Sequence, residues 1–336
     1  MNPEQLKREL GRRAGQIDEI MRQDLAGITE PRLAAVLEHA LFAGGKRVRP
    51  LLTLLAAEMT HPPSEGGAAA AGGTETTAGL AISFEYLHAA SLLHDDVIDH
   101  AKLRRGRETV NSRWDNGTAI LAGDFLHARA MLLAGTNGGG ECLELIGEAT
   151  QAMVASEFIQ LDAAARREWN DETYFAVLRG KTAALIAAAC AAGATRAGGG
   201  PQQILALRSY GGKLGIAFQI IDDLLDYLGE SNETGKAVGN DLQEGKMTLP
   251  LLIAHQRAAP GQKKELEGVV AAEPAHRGAA FERVRAIMEE ANAFNACRRR
   301  AEELIAEGTA ALDIFPDSPS RRVLTALGRY VLTRNK

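Results

Sequence analysis

Apolar residues recur along most of this 336-residue chain at intervals of three and four, and no stretch alternates in the manner of a β-strand. Because this spacing places apolar side chains on one face of a helix, the pattern predicts an all-α protein. The predicted helices cover residues 29–43, 48–60, 77–101, 116–135, 141–165, 171–194, 201–229, 247–258, 277–309 and 318–334.

Turn-forming stretches separate these helices at Pro62 to Thr76, Thr136 to Gly140, Arg196 to Pro201 and Gly229 to Gly245. The first of them is rich in Gly, Ala, Ser and Thr, which is typical of a flexible surface loop over residues 62–76. No linker divides the chain into two independent hydrophobic cores. We therefore expect a single domain over residues 1–336.

Composition narrows the class of protein further. Hydrophobic residues make up 46% of the chain and aromatic residues only 5%, a mixture that favours helices over sheets. A net charge of -5 argues against a nucleic-acid partner. The three cysteines (Cys142, Cys190 and Cys297) form no ligand pattern and fit a reducing compartment. The polar start of the chain and an apolar run limited to Thr182–Thr195 predict a soluble cytoplasmic protein.

One acidic pattern occurs twice, far apart in the chain. Asp95-Asp96-Val97-Ile98-Asp99 recurs as Asp222-Asp223-Leu224-Leu225-Asp226, each time within an apolar stretch. Residues four apart share a helix face, so each copy presents a pair of carboxylates on one side. Clustered carboxylates repel one another and resist burial, and hard oxygen ligands of this kind suit Mg²⁺. Two such faces predict a site for several Mg²⁺ ions bridging to an anionic ligand.

The neighbours of each acidic motif extend these faces. On the first helix, one stripe contains His88, Ser91, Asp95 and Asp99. On the second helix, Phe218 aligns with Asp222 and Asp226, and Gln219 lies beside them. A single motif is equally compatible with the solvated face of a surface helix, and His88 by itself with a satisfied core histidine. The second copy of the motif favours a functional role for these residues over both of these alternatives.

Basic residues suggest the ligand. The sequence GGKRVRP at 44–50 places Lys46 and Arg49 at a helix start, and Arg104-Arg105 follows the first acidic motif. Further lysines stand at positions 181, 236 and 246. Arginine forks and lysine ammonium groups together suit diphosphates. We expect two anionic groups, one bound through metal by the carboxylates and one bound directly by the basic side chains. Arg47, Lys102 and Arg107 are expected to be ordinary surface charges.

In these pieces the chain resembles the trans-isoprenyl diphosphate synthases, or polyprenyl synthetase family. The matching segments are GGKRVRP at 44–50, HDDVID at 94–99, RRG at 104–106, AGDFL at 122–126, GKTAAL at 180–185, and the run from FQIIDDLLD through TGK to GNDLQEGKMTLPLL between 218 and 252. The resemblance implies an isoprenoid synthase bundle, a single domain of long antiparallel helices around a deep central cavity, usually dimeric.

The resemblance also implies roles for individual residues. The Mg²⁺ ligands would be Asp95, Asp96, Asp99, Asp222, Asp223 and Asp226. Residues holding the allylic diphosphate would be Arg104, Lys181 and Lys236, and those holding isopentenyl diphosphate would be Lys46, Arg49, His88 and Arg105. Thr182 and Gln219 would lie near the developing carbocation, while Lys246 matches a basic position whose role is open.

The implied reaction joins isopentenyl diphosphate to an allylic diphosphate by ionisation, condensation and proton elimination, with the released diphosphate as the base. Small side chains at Ala90 and Ser91 and an uninterrupted first motif favour a long, octaprenyl-like product. Geranylgeranyl or farnesyl diphosphate is the alternative. We expect a homodimer that passes its lipid product to membrane enzymes.

Two other activities compete with this prediction. A terpene cyclase shares the fold, but its second metal motif usually carries an Asn/Ser/Glu pattern where this chain has Asp222 and Asp226. A non-catalytic partner subunit typically loses one acidic motif, and both are intact here. The ending Arg334-Asn335-Lys336 is less basic than the tail with which short-chain members cover the second substrate, which argues against assistance by the C-terminus.

Overall fold

The computed structural model describes residues 1–61, 73–104, 106–229 and 239–334. The α-helices, in chain order, are α1 (Pro3–Leu25), α2 (Pro31–Leu41), α3 (Val48–Thr60), α4 (Gly73–Ile98), α5 (Val110–Arg113), α6 (Asn116–Arg166), α7 (Asp171–Leu178), α8 (Ala184–Arg196), α9 (Pro201–Leu228), α10 (Asn240–Glu244), α11 (Leu249–Arg257), α12 (Pro260–Ala271), α13 (Pro274–Ala279), α14 (Phe281–Glu290), α15 (Ala293–Ala311) and α16 (Pro319–Thr333).

Within the described ranges, the strands amount to one short antiparallel hairpin. It pairs β1 (Leu103–Arg104) with β2 (Arg107–Glu108), in the register Leu103 to Glu108. Gly106 takes a φ of 74° at the turn, a left-handed conformation that glycine adopts without strain. The prediction of an all-α protein is therefore confirmed.

Most predicted helices are present, and α3 and α9 begin where the sequence pattern places them. The single helix predicted over 277–309 is wrong, because the chain forms α13, α14 and α15 there. Asn292, with a φ of 52°, interrupts the helical backbone between α14 and α15. The sequence analysis also missed α1 and α12.

Two long helical stretches contain irregular turns. Within α6, Gly139 has a φ of 75° and a ψ of -171°, so two helices meet at a kink where a turn was predicted. Between α7 and α8, residues Arg179–Ala183 form a π-turn. The stretch Asp171–Arg196 is long and apolar enough to span a membrane, yet 56% of its most apolar window is buried within the protein, as in a core helix.

The chain divides into two compact units. Unit 1 comprises Met1–Thr150, Leu185–Gly211 and Ala311–Leu327, and unit 2 comprises Gln151–Ala184, Gly212–Ala310 and Gly328–Lys336. The single-domain organisation stays a prediction. Of the predicted loop 62–76, residues 62–72 lie outside the described part of the chain, and the remainder belongs to α4.

Unit 1 packs around α3, α4 and the Ala-rich α8. Helices α3 and α8 approach closely at Gly193, where a Cβ atom would lie 2.1 Å from the carbonyl oxygen of Thr53. Large side chains such as Leu52, Leu55 and Phe84 fill the remaining space and are fully buried. Small residues on one helix and large ones on its neighbours thus produce the dense packing of this core. A cavity of about 440 Å³ in this unit is lined by Asn137, Gly138, Gly139, Gly140, Glu141, Thr195 and Arg196, none of them a predicted site residue.

Unit 2 packs around the second half of α9. Ile220 and Tyr227 on α9 are fully buried, as are Ile287 and Met288 on α14. The Tyr227 ring stacks parallel to the ring of Phe281, with centroids 6.0 Å apart. One side of α9 is thereby held in an apolar core, which determines how the helix presents its acidic motif.

Candidate active site

The first acidic motif lies at the C-terminal end of α4. His88, Ser91 and Asp95 are half-buried and Asp99 is exposed, whereas Leu93 is 5% exposed. The Ser91 hydroxyl donates to the carbonyl oxygen of His88 at 2.9 Å. The predicted stripe is therefore the accessible side of α4, while the opposite side packs into the core of unit 1.

Asp96 differs from the other acids of the first motif because it is buried, with 4% exposure. Arg104 in the hairpin donates to its carboxylate from Nε at 2.9 Å, and the Nη2 atom lies 2.8 Å from the same oxygen. The Asn111 side chain donates to the carbonyl oxygen of Asp96 at 3.2 Å. Asp96 thus anchors the segment that follows α4 and holds Arg104 beside the motif. Arg105 lies outside the described residues.

The AGDFL segment of α6 makes room for the histidine of the first motif. A Cβ atom at Gly123 would lie 2.3 Å from Nε2 of His94, so the imidazole would have to shift if any other residue stood there. The same imidazole nitrogen lies 3.5 Å from Oδ1 of Asp124. The glycine of this segment therefore serves the packing of α4 against α6.

The basic residues of the turn before α3 differ in how far they are buried. Lys46 is exposed and Arg49 half-buried, but Arg47 between them is 4% exposed and pairs with Asp18 and Glu85. The expectation that Arg47 is an ordinary surface charge is therefore wrong, because two carboxylates draw its guanidinium into unit 1. The other two residues with this expectation, Lys102 and Arg107, are exposed.

The second acidic motif, near the end of α9, contains a hydrogen-bond chain that runs from half-buried side chains to a buried carboxylate. Thr182 donates to Oε1 of Gln219 at 3.2 Å, and Nε2 of Gln219 donates to Oδ1 of Asp223 at 3.0 Å. Tyr174 donates to the other oxygen of Asp223 at 2.7 Å. Burial, followed by the nearby charge of Asp241, raises the pKa of Asp223 to about 8. The structure brings Thr182 and Gln219 together, while their role near a carbocation stays a prediction, and the sequence analysis did not include Tyr174.

Asp226 accepts two backbone hydrogen bonds from the loop that follows the motif. The amides of Asn240 and Asp241 donate to its carboxylate at 3.2 and 3.0 Å. Burial and the charge of Asp241 nevertheless raise the pKa of Asp226 to about 6. Lys246 lies 3.2 Å from Asp241 and 2.6 Å from Glu244, and these carboxylates raise the pKa of Lys246 against the effect of burial. Asp241 is therefore a member of the acidic cluster that the sequence analysis missed.

Asp222 is exposed on α9 and meets the last described residue of the chain. Nη2 of Arg334 lies 3.3 Å from Oδ1 of Asp222, and its guanidinium lies 4.4 Å from the ring centroid of Phe218. The Arg334 side chain is only 9% exposed. That the C-terminus gives no assistance stays a prediction, and this contact of Arg334 with the motif was not anticipated.

Lys181 projects from the π-turn towards α6 rather than towards the acidic motif. Its ammonium lies 2.8 Å from Oε1 of Glu157 and 3.2 Å from Oε1 of Gln160. The helix predicted over residues 171–194 is interrupted by this π-turn, in which the amide of Ala184 donates to the carbonyl oxygen of Arg179. Gly180 allows α6 to approach, because its Cβ atom would lie 2.6 Å from the carbonyl oxygen of Ala152. Lys236 lies outside the described residues.

Each unit thus gathers its own part of the predicted site. Unit 1 places the stripe of α4 next to the Asp96–Arg104 pair, and unit 2 connects Thr182, Gln219 and Asp223 and holds Asp226 beside Asp241 and Lys246. Among the described residues, no three Asp, Glu, His or Cys side chains converge as a ready-made metal site. The ligand roles of the six predicted aspartates stay predictions.

Comparison with known proteins shows the relatives of this chain. The model of a family described as polyprenyl synthetase matches residues 30–288. Octaprenyl diphosphate synthase of Escherichia coli is 35% identical over 95% of this chain and 98% of its own length. An all-trans-nonaprenyl-diphosphate synthase of Rhodobacter capsulatus is 37% identical, with 89% and 88% covered. A short chain isoprenyl diphosphate synthase of Methanothermobacter thermautotrophicus is 34% identical, with 94% and 95% covered.

Solved structures show the same similarity. A polyprenyl synthase from Caulobacter crescentus, complexed with calcium and isoprenyl diphosphate, superposes with a TM-score of 0.86 at 33% identity, over 99% of this chain and 98% of that one. A geranylgeranyl pyrophosphate synthetase from Pyrococcus horikoshii superposes with a TM-score of 0.87 at 28% identity, over 98% and 99%. Similarity of this extent covers both acidic motifs and the basic segments around them.

Proposed function

Because the chain belongs to the polyprenyl synthetase family and is therefore a prenyltransferase, we propose that it condenses isopentenyl diphosphate with an allylic diphosphate into a long trans polyprenyl diphosphate. The observation that carries this proposal is the pair of intact acidic motifs within a match that spans nearly the whole chain. The long-chain synthases among the relatives support the size of the product.

We propose Mg²⁺ as the cofactor, several ions for each active site. The donor chemistry fits: Asp95, Asp99, Asp222 and Asp226 supply hard carboxylate oxygens at helical spacing, and those of Asp226 lie near the additional charge of Asp241. Burial, followed by the charge of Asp241, raises the pKa of Asp226, and a bound cation would favour the ionised carboxylate against both effects. Mg²⁺ keeps waters and substrate phosphate oxygens among its ligands, so it does not require three protein ligands converging on one point. When bound, Mg²⁺ would neutralise the departing diphosphate of the allylic substrate.

The side chains around the motifs bind and orient the substrates. Arg104 and Lys181 present positive charge to the allylic diphosphate, and Lys46, Arg49 and His88 do so for isopentenyl diphosphate. Arg105, Lys236 and Lys246 complete this set in the proposal. Arg104 and Lys181 exchange their present carboxylate partners for phosphate oxygens when substrate enters.

The Thr182–Gln219 pair acts on the positive charge that develops in the allylic group. Because Gln219 donates to Asp223 while its oxygen accepts from Thr182, the amide is held in one orientation. The hydroxyl oxygen of Thr182 retains lone-pair density that can stabilise a carbocation without attacking it. In the π-turn, hydrogen bonds join residues five apart instead of four, which changes the carbonyl groups that are paired near Lys181. This change supports a similar role for a backbone carbonyl there. Released diphosphate takes the final proton.

Ala90 and Ser91 set the product length in this proposal. Ala90 is 4% exposed and Ser91 is half-buried, and both are small side chains one turn before Asp95. A small residue at this depth leaves space for a growing chain that an aromatic ring would fill. A geranylgeranyl or farnesyl product is the second candidate, and the short-chain relative favours it.

Incubation of the purified chain with Mg²⁺, labelled isopentenyl diphosphate and a short allylic diphosphate tests the proposal. We expect polyprenyl diphosphates longer than C20 once the lipids are separated by size. Products ending at C15 or C20 would support the second candidate. A cyclic hydrocarbon would indicate a terpene cyclase, and activity only with an added partner chain would indicate a non-catalytic subunit.

Substitution at the two small positions tests the assignment of chain length. We expect Ala90→Phe and Ser91→Phe to shorten the main product by several isoprene units, because the ring blocks the path of the chain. Ala89→Phe is the matched control, since Ala89 is a half-buried neighbour on the same helix and outside the proposed path. Unchanged products in the first two variants would remove these residues from the channel.

We further propose a homodimer that acts in the cytoplasm and passes its lipid product to membrane enzymes. In unit 2, Val154, Phe158 and Leu161 lie along one face of α6 and are 55%, 68% and 58% exposed. Apolar side chains at this spacing form a continuous helix face that association of two copies would bury. This exposed face is the observation that supports a dimer.

A further inference from the structure

A buried arginine holds the basic turn that carries Lys46 and Arg49. Arg47 lies between these two residues, is 4% exposed, and has a φ of 47°, a left-handed conformation that non-glycine residues rarely adopt. It is the residue at which the turn ends and α3 begins. Its side chain points into unit 1, whereas Lys46 is exposed to solvent and Arg49 is half-buried.

The guanidinium of Arg47 makes three hydrogen bonds in different directions. Nε donates to Oδ1 of Asp18 at 2.6 Å, Nη1 donates to Oε1 of Glu85 at 2.8 Å, and Nη2 donates to the carbonyl oxygen of Leu41 at 2.5 Å. These acceptors belong to α1, α4 and the end of α2. The planar, rigid fork of an arginine suits such an arrangement, and a lysine ammonium cannot reproduce it. One side chain therefore connects three helices to the start of α3.

The partner on α4 relates this arrangement to the site. Glu85 is 7% exposed and stands one turn before His88, on the helix that continues to Asp95 and Asp99. The Arg47–Glu85 pair therefore links the turn of Lys46 and Arg49 to the helix of the first acidic motif. Burial opposes the charge on Arg47, but Glu85 and Asp18 more than offset it and raise the pKa of Arg47. Removing Arg47 would leave the buried carboxylate of Glu85 without its counter-charge.

Building on the function proposed above, we propose that Arg47 is a positioning residue for isopentenyl diphosphate, which keeps Lys46 and Arg49 in register with His88 through its ion pair with Glu85. Arg47 itself does not touch the substrate. Its loss lets the turn move relative to α4, so the three groups that bind one diphosphate no longer converge. Binding of isopentenyl diphosphate weakens, while the allylic diphosphate, which other residues hold, is affected less.

The chain offers a closely matched control. Arg13 on α1 pairs with Glu58 at 2.7 Å near the other end of α3, and its side chain is 16% exposed. This pair also joins α1 to α3 within unit 1, but it is remote along α3 from the turn of Lys46. Arg13→Gln therefore removes a similar partly buried ion pair without releasing the proposed binding groups.

The first test measures steady-state kinetics of full-length Arg47→Gln and Arg13→Gln. We expect Arg47→Gln to raise the KM for isopentenyl diphosphate by about tenfold or more and the KM for the allylic substrate by less than about threefold. Arg13→Gln should change neither. Equal changes in both KM values, or the same change in Arg13→Gln, would overturn the positioning role. Should Arg47→Gln fail to fold, Arg47→Lys retains the charge and is expected to show the same selective rise in KM.

A second variant tests whether Arg47 acts through Glu85. Glu85→Gln should raise the KM for isopentenyl diphosphate as Arg47→Gln does. The double variant should be no worse than the worse single variant, because both changes break the same link and the double change removes both charges of the Arg47–Glu85 pair. Multiplicative effects on KM would show that the two residues act separately and would contradict the proposal.

A third measurement does not depend on activity, so it separates this inference from the proposed function. Amide hydrogen exchange of the substrate-free protein should be faster over residues 43–47 in Arg47→Gln than in Arg13→Gln or the wild type. Unchanged exchange there would overturn the inference whatever the enzyme catalyses. If Arg47→Gln shows the faster exchange but the wild-type protein makes no prenyl product, the proposed function is wrong and Arg47 is still an anchor of the turn.

Discussion

Among single residues, Asp223 shows how the fold changes the chemistry of a side chain. It is one of the six aspartates of the two acidic motifs, yet it is 5% exposed, and Tyr174 and Gln219 both donate to it. Asp222, its immediate neighbour, is exposed and meets Arg334. Helix periodicity places the two residues on different sides of α9, so one carboxylate is set among hydrogen-bond donors and the other is accessible to a ligand.

The raised pKa of Asp223 predicts how stability depends on pH. The folded-state pKa of about 8 lies above an unfolded value of about 3.9, so between these pH values the folded state holds a proton that the unfolded state has lost. The stability from this residue is complete below the unfolded pKa and is lost as the pH rises through the folded pKa. The expected slope is about 1.4 kcal/mol per pH unit.

Urea unfolding of the metal-free protein between pH 5 and 8 measures this effect. The free energy of unfolding should fall more steeply with pH in the wild type than in Asp223→Asn, which has no proton to lose. Asp162→Asn serves as the control and should retain the wild-type slope, since the Asp162 side chain is 73% exposed and is not among the charges that raise the pKa of Asp223. Parallel curves for the wild type and Asp223→Asn would show that Asp223 is ionised throughout.

Among the elements, the π-turn between α7 and α8 depends on a single glycine. Gly180 lies where α6 approaches, and a Cβ atom there would be 2.5 Å from Cβ of Ser156 and 2.6 Å from the carbonyl oxygen of Ala152. Both contacts are too close for atoms that are not bonded, and one of them is to backbone. The turn that carries Lys181 and Thr182 is therefore positioned by the absence of a side chain at the residue before them.

Gly180→Ala should destabilise the protein, because α6 or the π-turn must move to accept the methyl group. We expect a loss of about 1–3 kcal/mol in the free energy of unfolding, measured by urea denaturation. The control is Gly147→Ala in α6, where nothing lies within 4 Å of the added Cβ atom. That variant should be neutral or more stable by up to about 1 kcal/mol. Equal effects of the two substitutions would mean that the contact at Gly180 relaxes without cost.

For the whole molecule, surface chemistry predicts how copies of the chain associate. The composition has few aromatic residues, yet Phe158 is 68% exposed between Val154 and Leu161 on α6. An exposed apolar face of this size is typical of a surface that a partner covers, because burying it removes apolar area from water. The proposed homodimer uses this face, and it requires no charged contact, in keeping with the modest net charge of -5.

Phe158→Glu should therefore shift the protein from dimer to monomer in sedimentation velocity at micromolar concentration, because a charge would be buried without a partner. Leu205→Glu is the control. Leu205 on α9 is similarly exposed, at 67%, but belongs to a different helix, so this variant should remain dimeric. A dimer that survives Phe158→Glu would place the interface elsewhere, and a monomeric wild type would contradict the proposal.

The amino-acid sequence was sufficient for the features that depend on neighbours along the chain. Periodicity predicted the all-α class and helices such as α3 and α9, and spacing within one helix placed His88, Ser91 and Asp95 on one face. The ends of helices were predicted less well. The apolar pattern continues over residues 277–309, so the sequence analysis did not detect the helix end at Asn292, where the backbone is left-handed.

Partners distant in sequence were decided only by tertiary structure. Arg47 meets Glu85 across 38 residues, and Tyr174 meets Asp223 across 49. No periodicity records such pairs, because they form only when separate helices pack together. Burial follows from the same packing, which is why Arg47 resembled a surface charge and Asp241 was overlooked. The sequence thus predicts which kinds of chemical group the site contains. Their pKa values and hydrogen-bond partners are determined by the packing of the folded chain.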